Sequence, residues 1–122
     1  MKRIIICGGR DFQDMDFFIR SMRQILQLYP DVEIVSGHAS RGADRMGEAF
    51  AKSYNLPLKL FPAQWDTYGK SAGYRRNSQM LDYIRQGEPV VVAFWDGSSR
   101  GTQHMISIAQ KANVPTHIFR YK

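Results

Sequence analysis

The chain has 122 residues, 43% hydrophobic and 23% charged, the balance of an ordinary globular protein with room for a single core, so one domain spanning 1–122 is expected. No apolar run approaches the ~18 residues of a membrane span, and the opening Met1-Lys2-Arg3 with Ile4-Ile5-Ile6-Cys7 is broken by Gly8-Gly9 too soon for a signal peptide. Seventeen Lys and Arg against 11 Asp and Glu give a net charge of +6, which favours anionic partners but says nothing of fold.

In chain order, Lys2 to Cys7 is a short apolar strand that breaks at Gly8-Gly9-Arg10-Asp11. Its single cysteine, Cys7, has no partner for an internal disulfide and reads as a small core hydrophobe, which points to a reducing, cytoplasmic setting. Asp14 is the expected N-cap of a helix to about Tyr29, with Phe18, Met22, Ile25, Leu26 and Tyr29 on one stripe. Pro30-Asp31 ends it, and Val32 to Val35 is a second strand running into Ser36-Gly37-His38-Ala39-Ser40-Arg41-Gly42-Ala43-Asp44. A second helix to Tyr54 turns Ala43, Met46, Gly47, Phe50 and Tyr54 inward, and Asn55-Leu56-Pro57 stops it, Asn suiting the left-handed helix-end position. Leu58 to Phe61 is the third strand.

The stretch 62–73 has no clean period and holds Trp65, Tyr68, Gly69 and Lys70, so it is expected to be an ordered functional loop rather than a linker. Arg75 to Arg85 is a helix with Met80, Leu81 and Ile84 inward, ended by Gly87. Val90 to Phe94 is a continuous apolar run, the pattern of a strand buried on both faces of a parallel sheet. It leads through Asp96-Gly97-Ser98-Ser99-Arg100-Gly101-Thr102 into a fourth helix. Asn113-Val114-Pro115 repeats the earlier stop, and Thr116 to Arg120 is the fifth strand. Short strands alternating with helices at these intervals predict a single Rossmann-like three-layer α/β domain with a mostly parallel five-stranded sheet.

Ligands of such sheets gather at the carboxyl ends of the strands, where the glycine-bearing turns 8–9, 37–42 and 97–101 all fall. The turn Gly97-Ser98-Ser99-Arg100-Gly101-Thr102 offers backbone N–H groups and hydroxyls beside a helix N-terminus and is a candidate phosphate cradle. The competing reading is a plain helix entry with Ser99 as N-cap. It is neither a P-loop, since the GxxxxGK[ST] spacing is missing, nor a dinucleotide fingerprint, since Gly8-Gly9 lacks the third glycine. Arg76 and Asn77 follow the loop bearing Lys70. Arg presents a rigid fork to phosphate and Lys a mobile charge, while the aromatics Trp65, Tyr68 and Tyr74 can stack on a base. Asp44 and Asp96 suit ribose hydroxyls, proton transfer or simple capping. His38, His104 and His117 show no metal-ligand spacing, and no Ser–His–Asp arrangement follows from the spacing, so no metal is expected.

Seven basic residues (Arg10, Arg41, Arg45, Lys70, Arg75, Arg76, Arg100) lie in or beside the turns after strands, together with Asp11, Asp44, Asp66 and Asp96. Mixed signs suit a ligand that carries both phosphates and sugar hydroxyls.

Four blocks, ICGGRDF (6–12), SGHASRGADRMGEAFA (36–51), WDTYGKSAGYRRNSQM (65–80) and VVAFWDGSSRGTQHM (91–105), resemble the SLOG superfamily, close to its YspA-like, cpYpsA-related branch. The SGHASRGAD block is similar to the DNA-processing protein A, which binds single-stranded DNA. The Arg76-x-x-x-Met80 segment and the Gly101-Thr102 turn are similar to the Lonely Guy phosphoribohydrolases. The resemblance implies a Rossmann-like fold that binds nucleotides, with Arg76 where those hydrolases keep a catalytic Arg and Met105 where they keep a catalytic Glu. Met105 cannot transfer a proton, so Asp44, Asp96 or Glu48 would have to replace it.

These readings lead to an expected cytoplasmic domain that binds a nucleotide or a nucleotide-derived ligand (phosphoribosyl, ADP-ribose or NAD-like) and senses or hydrolyses it, with no cofactor required. Gly8, Gly9, Arg10, Ser36 and Gly37 give close backbone approach and charge. Arg76, Asn77 and Lys70 meet phosphate together with the 97–102 turn, Asp44 and Asp96 meet ribose, and Trp65 or Tyr68 meets the base. The rival expectation is a non-catalytic single-stranded nucleic-acid binder. Relatives in the superfamily imply a homodimer or higher homo-oligomer.

Overall fold

The computed structural model describes residues 1–121. Five strands, β1 (Lys2–Gly8), β2 (Val32–Ser36), β3 (Leu58–Leu60), β4 (Glu88–Trp95) and β5 (Thr116–Arg120), form one sheet in the order β3-β2-β1-β4-β5. Every pairing is parallel, with Ile6 opposite Ser36 on one side of β1 and Gly8 opposite Phe94 on the other. Helices α1 (Met15–Leu28), α2 (Ala43–Ser53), α4 (Ala72–Arg85) and α5 (Arg100–Lys111) flank the sheet, and α3 (Trp65–Tyr68) is a single turn beyond β3.

Strand alternation divides the core into two layers. Ile4, Ile6, Ile34, Val90, Val92 and Phe94 face Phe18, Met22 and Ile25 of α1 and Ala43, Phe50 and Ala51 of α2. Ile5, Cys7, Val35, Val91 and Ala93 face Met80, Leu81 and Ile84 of α4 and Met105, Ile106 and Ala109 of α5. A strand buried on both faces needs apolar residues at successive positions, which is why β1 and β4 read as solid apolar runs. The architecture is the Rossmann-like α/β layering expected from the sequence.

Local signals explain the element ends. Asp14 caps α1 by accepting a hydrogen bond from the Phe17 N–H at 3.0 Å. Asn55 and Asn113 take φ values of 54° and 60° just after α2 and α5. There Leu56 N–H reaches Ala51 O at 2.8 Å and Val114 N–H reaches Ala109 O at 2.9 Å, the six-residue closure that satisfies orphan helix carbonyls. The prolines that follow keep their carbonyls in play: Pro57 O accepts from Ile34 N–H and Pro115 O from Val91 N–H.

Three details differ from the sequence reading. The 62–73 stretch is not loop throughout: Trp65–Tyr68 makes one helical turn, Gly69–Ser71 a 3-10 turn, and α4 begins at Ala72 rather than Arg75. A four-residue helix with no buried side chain leaves no periodicity to read. Tyr54 is exposed and stacks on Phe50 at 4.3 Å, because α2 has ended before it. Asp44 and Glu48 are buried in its place.

β1 sits at the centre of the order, with β2 on one side and β4 on the other, so its carboxyl end is the topological switch point. Gly8 must lack a side chain there, since a Cβ would lie 2.5 Å from Phe94 O and 2.7 Å from the Ala43 Cβ. Gly8→Ala is therefore expected to lower the unfolding free energy by about 1–3 kcal/mol in urea titration, the usual penalty of overpacking a tight core.

Candidate functional site

A cleft of about 510 Å³ opens at this switch point. Cys7, Gly8, Gly9, Arg10 and Asp11 line it from the end of β1, and Ala39, Arg41 and Asp44 from the entry to α2. Trp65 and Lys70 come from the 62–71 segment, and Gly73, Tyr74, Arg76, Asn77 and Met80 from α4. Asp96, Ser99, Gly101 and Thr102 come from the β4–α5 turn. Of the residues singled out in the sequence, Ser36, Gly37, Tyr68, Gly97, Ser98 and Arg100 do not line it. Tyr74, one of the aromatics offered for stacking, lines it, as do Asp11 and Arg41, which were given no role as ligand contacts; all three lie inside the sequence blocks that carry the turns.

Arg76 is the best-fixed cation of the cleft. Its Nη1 donates to Gly37 O at 2.5 Å and its Nε to Asn77 Oδ1 at 3.2 Å. The guanidinium lies so close to Gly37 that a Cβ there would meet Nη1 at 2.5 Å and Cζ at 2.7 Å. Glycine at 37 thus seats Arg76 rather than touching the cleft. Burial pulls the Arg76 pKa below its ordinary value, while the Asp44 charge acts in the opposite direction.

Asp44 is 8% exposed, and its Oδ2 accepts from Ala39 N–H at 3.0 Å. No buried side-chain N or O among the described residues lacks a partner, so the other Asp44 oxygen, which takes no hydrogen bond, is open to the cleft. Burial raises the Asp44 pKa; the Ala39 N–H and the Arg76 charge lower it in part.

Behind the cleft, the 36–38 turn is held by Glu48, which is 5% exposed. Ser36 Oγ donates to Glu48 Oε2 at 2.8 Å, His38 Nδ1 lies 3.0 Å from the same oxygen, and Arg45 Nη1 lies 3.4 Å from Oε1. His38 takes a φ of 59°, and its N–H donates to Ser36 Oγ at 3.1 Å. This set contains Ser, His and Glu, but the Ser36 hydroxyl is fully buried and donates to the carboxylate, so it is a clamp and not a nucleophile. Glu48 does not reach the cleft and cannot stand in for a catalytic acid there.

Asn77, 5% exposed, ties α4 to α5: its Nδ2 reaches Gly101 O at 3.2 Å and His104 Nδ1 at 3.1 Å. With Nδ1 accepting, His104 is neutral and carries its proton on Nε2, and its ring lies tilted against Tyr74 with centroids 4.4 Å apart. Burial holds the His104 pKa below the ordinary 6.5.

The 97–102 turn departs from the phosphate cradle expected. Asp96 Oδ1 accepts from Ser98 N–H at 2.8 Å and Ser99 N–H at 2.7 Å, bonds that lower its pKa. Ser99 is the N-cap of α5, but its hydroxyl pairs with Thr102 Oγ1 at 3.1 Å instead of capping the backbone. Gly97 takes a φ of 90°, with the Arg120 guanidinium against its open side. Met105, at the position of the hydrolase Glu, is fully buried in the layer beneath α5 and does not line the cleft.

Four cations (Arg10, Arg41, Lys70, Arg76) and three carboxylates (Asp11, Asp44, Asp96) line the cleft. Asp11 Oδ1 accepts from the Tyr121 hydroxyl at 2.8 Å, and Tyr121 is raised above its ordinary pKa by burial and by that bond. Among the described residues no group of three or more His, Cys, Asp or Glu could hold a metal ion, and no helix is long and apolar enough to cross a membrane.

The strand order and the cleft at its switch point define a Rossmann-like domain with a charged cleft at the sheet rim. The chain belongs to the YspA, cpYpsA-related SLOG family, whose profile matches residues 2–68. It is also 33% identical over 120 residues to the Gene 61 protein of Mycobacterium phage D29, covering 94% of each chain. No solved structure gives a significant match. Membership in this family points to nucleotide-related ligands in general.

Two outcomes test the wiring of the site. Asn77→Ala removes the acceptor of Arg76 and the donor to Gly101 and His104, and is expected to cost about 1–3 kcal/mol of unfolding free energy. His104 has a lower pKa folded than unfolded, so its contribution is complete above 6.5 and is lost as pH falls from there through the lower folded pKa, the window in which the unfolded chain takes the proton first. Denaturant unfolding at about pH 8 and about pH 5 should show a drop that His104→Gln makes smaller.

Proposed function

We propose that the cleft binds a nucleotide or nucleotide-derived ligand of the phosphoribosyl, ADP-ribose or NAD-like kind. One observation carries this reading: a half-buried Arg76 fixed on two sides, with Nη2 making no hydrogen bond among the described residues, at the switch point of a parallel sheet. A guanidinium immobilised in this way loses little further freedom when it binds a phosphate. Lys70, Arg41 and Arg10 add mobile charge at the rim. Trp65 and Tyr74, 48% and 46% exposed at the cleft, provide faces for a base.

Binding is better supported than turnover. Met105 lies in the core, and the cleft's own candidates for proton transfer are Asp44, with one oxygen open and a raised pKa, and Asp96, whose pKa is lowered. Arg76 would then act as electrostatic partner to whichever carboxylate serves. In the proposed binding role, calorimetry against a nucleotide panel finds a ligand, and Arg76→Ala weakens its binding by about 1.5–3 kcal/mol. Unchanged affinity in that variant removes Arg76 from the site.

A second reading, single-stranded nucleic acid, is favoured by the exposed Trp65, Tyr68 and Tyr74 with the Arg75 guanidinium 4.4 Å above Tyr68. A polymer contact predicts a salt slope of about −0.7 per neutralised phosphate, whereas a mononucleotide site predicts little dependence and no competition by oligonucleotides.

A further inference from the structure

The doubly wound fold invites a phosphate onto the N-terminus of α5, yet that turn already contains an anion. Asp96 gives one oxygen to both the Ser98 and Ser99 N–H groups, at 2.8 and 2.7 Å. Those two N–H groups, which an incoming phosphate would need, are thereby committed to a carboxylate. The α5 N–H groups of Gly101 and Thr102 remain, but a phosphate that reached them would sit one turn from Asp96. Ser99 Oγ and Thr102 Oγ1, the hydroxyls that would assist it, are paired with each other at 3.1 Å.

The best-fixed cation of the cleft stands elsewhere, within the field of the buried Asp44. Arg76 is anchored on Gly37 at the end of β2, and Lys70 and Arg41 line the cleft beside it. β2 and β4 stand on either side of β1. Their ends are therefore two strand spacings apart, roughly 10 Å. The floor between them is Gly8 and Gly9, which project no side chain into the space.

We infer that Asp96 is a specificity residue that excludes phosphate from the α5 turn and sets the ligand's direction. The phosphate end meets Arg76, Lys70 and Arg41, and the ribose hydroxyls meet the second Asp96 oxygen, to which neither turn N–H donates. The ligand class is a ribonucleotide that ends in a phosphate, with the deoxyribose form disfavoured because it lacks one donor to Asp96. This inference rests on the reading of the cleft as a nucleotide site.

The test uses inorganic phosphate as the probe and ¹H–¹⁵N NMR of the full chain as the readout, with thermal melting to establish that each variant is folded. In the wild type, phosphate should shift Gly37, Lys70 and the Arg76 side chain and leave Ser98 and Ser99 unmoved. Asp96→Asn keeps an acceptor oxygen for the turn but removes its charge, and Asp96→Ala empties it. Both should tighten phosphate binding at least threefold and bring the Ser98 and Ser99 amides into the set that shifts. Arg76→Ala should erase the wild-type shifts, while Arg76→Ala combined with Asp96→Ala should keep those of the turn.

Largest wild-type shifts at Ser98 to Thr102, or weaker phosphate binding in both Asp96 variants, would overturn the inference. Should that happen while Arg76→Ala still weakens nucleotide binding in calorimetry, the cleft reading stands and only the direction is wrong. Absence of any phosphate shift in the wild type and in every variant counts against both. AMP and 2′-deoxy-AMP then report on the sugar end: wild type should prefer AMP, Asp96→Ala should lose the preference, and equal binding in the wild type removes Asp96 from the ribose.

Discussion

The structure depends on how closely its neighbours approach the end of β1. β4, the start of α2 and the tail after β5 all converge on Gly8 and Gly9. Any Cβ at Gly8 meets Phe94 O and Ala43, and any Cβ at Gly9 meets the Tyr121 hydroxyl. The same compression extends to Gly42, whose φ of 82° brings α2 against the Gly9 carbonyl, and Ala43 N–H donates to that carbonyl at 3.3 Å. Because the central strand ends in bare backbone, the rim is a cleft instead of a packed corner, and charged side chains can reach it from both sides of the switch point.

Charge inside the rim is arranged so that each buried ionic group has a fixed hydrogen-bond partner. Glu48 holds Ser36 and His38, those two fix Gly37, and Gly37 O holds Arg76. Asn77 holds the same guanidinium from α4 and reaches across to α5. Asp44 and Arg76 line one cleft without an ion pair between them, and each moves the other's pKa toward its charged form. Neither is neutralised by direct contact. The interaction is a field across the cleft, which a ligand carrying an anion near Arg76 and a donor near Asp44 would complete.

Much of the scaffold was readable in the sequence, because burial on both faces and left-handed helix ends leave strong local marks. Val90 to Phe94 announced a strand buried on both faces, Asp14 a cap, and Asn55 and Asn113 two like corners, and each stands as read. The three glycine turns were placed at one rim. What escaped were effects that depend on distant partners. Glu48 reads in sequence as a possible stand-in for the acid missing at Met105, and only the fold brings Ser36, His38 and Arg45 around it and keeps it from the cleft. Gly37 reads as a residue near a ligand, yet it makes room for Arg76, 39 positions away. The one-turn helix at Trp65 carries no buried residue and so no period.

Asp96 shows why a turn sequence alone leaves its chemistry open. Asp-Gly-Ser-Ser ahead of a helix describes equally a phosphate cradle and a turn closed on its own carboxylate, since both use the same N–H groups. The two differ in what is left to bind: an open turn offers those N–H groups to an anion, and a closed one has already committed them. Side-chain direction decides between them, and here Asp96 points back onto Ser98 and Ser99. The best-fixed cation of the cleft is a side chain, Arg76, and not a helix terminus. A fixed guanidinium opposite a fixed carboxylate gives the cleft a direction that a helix dipole alone, effective only within its first turn, would not supply.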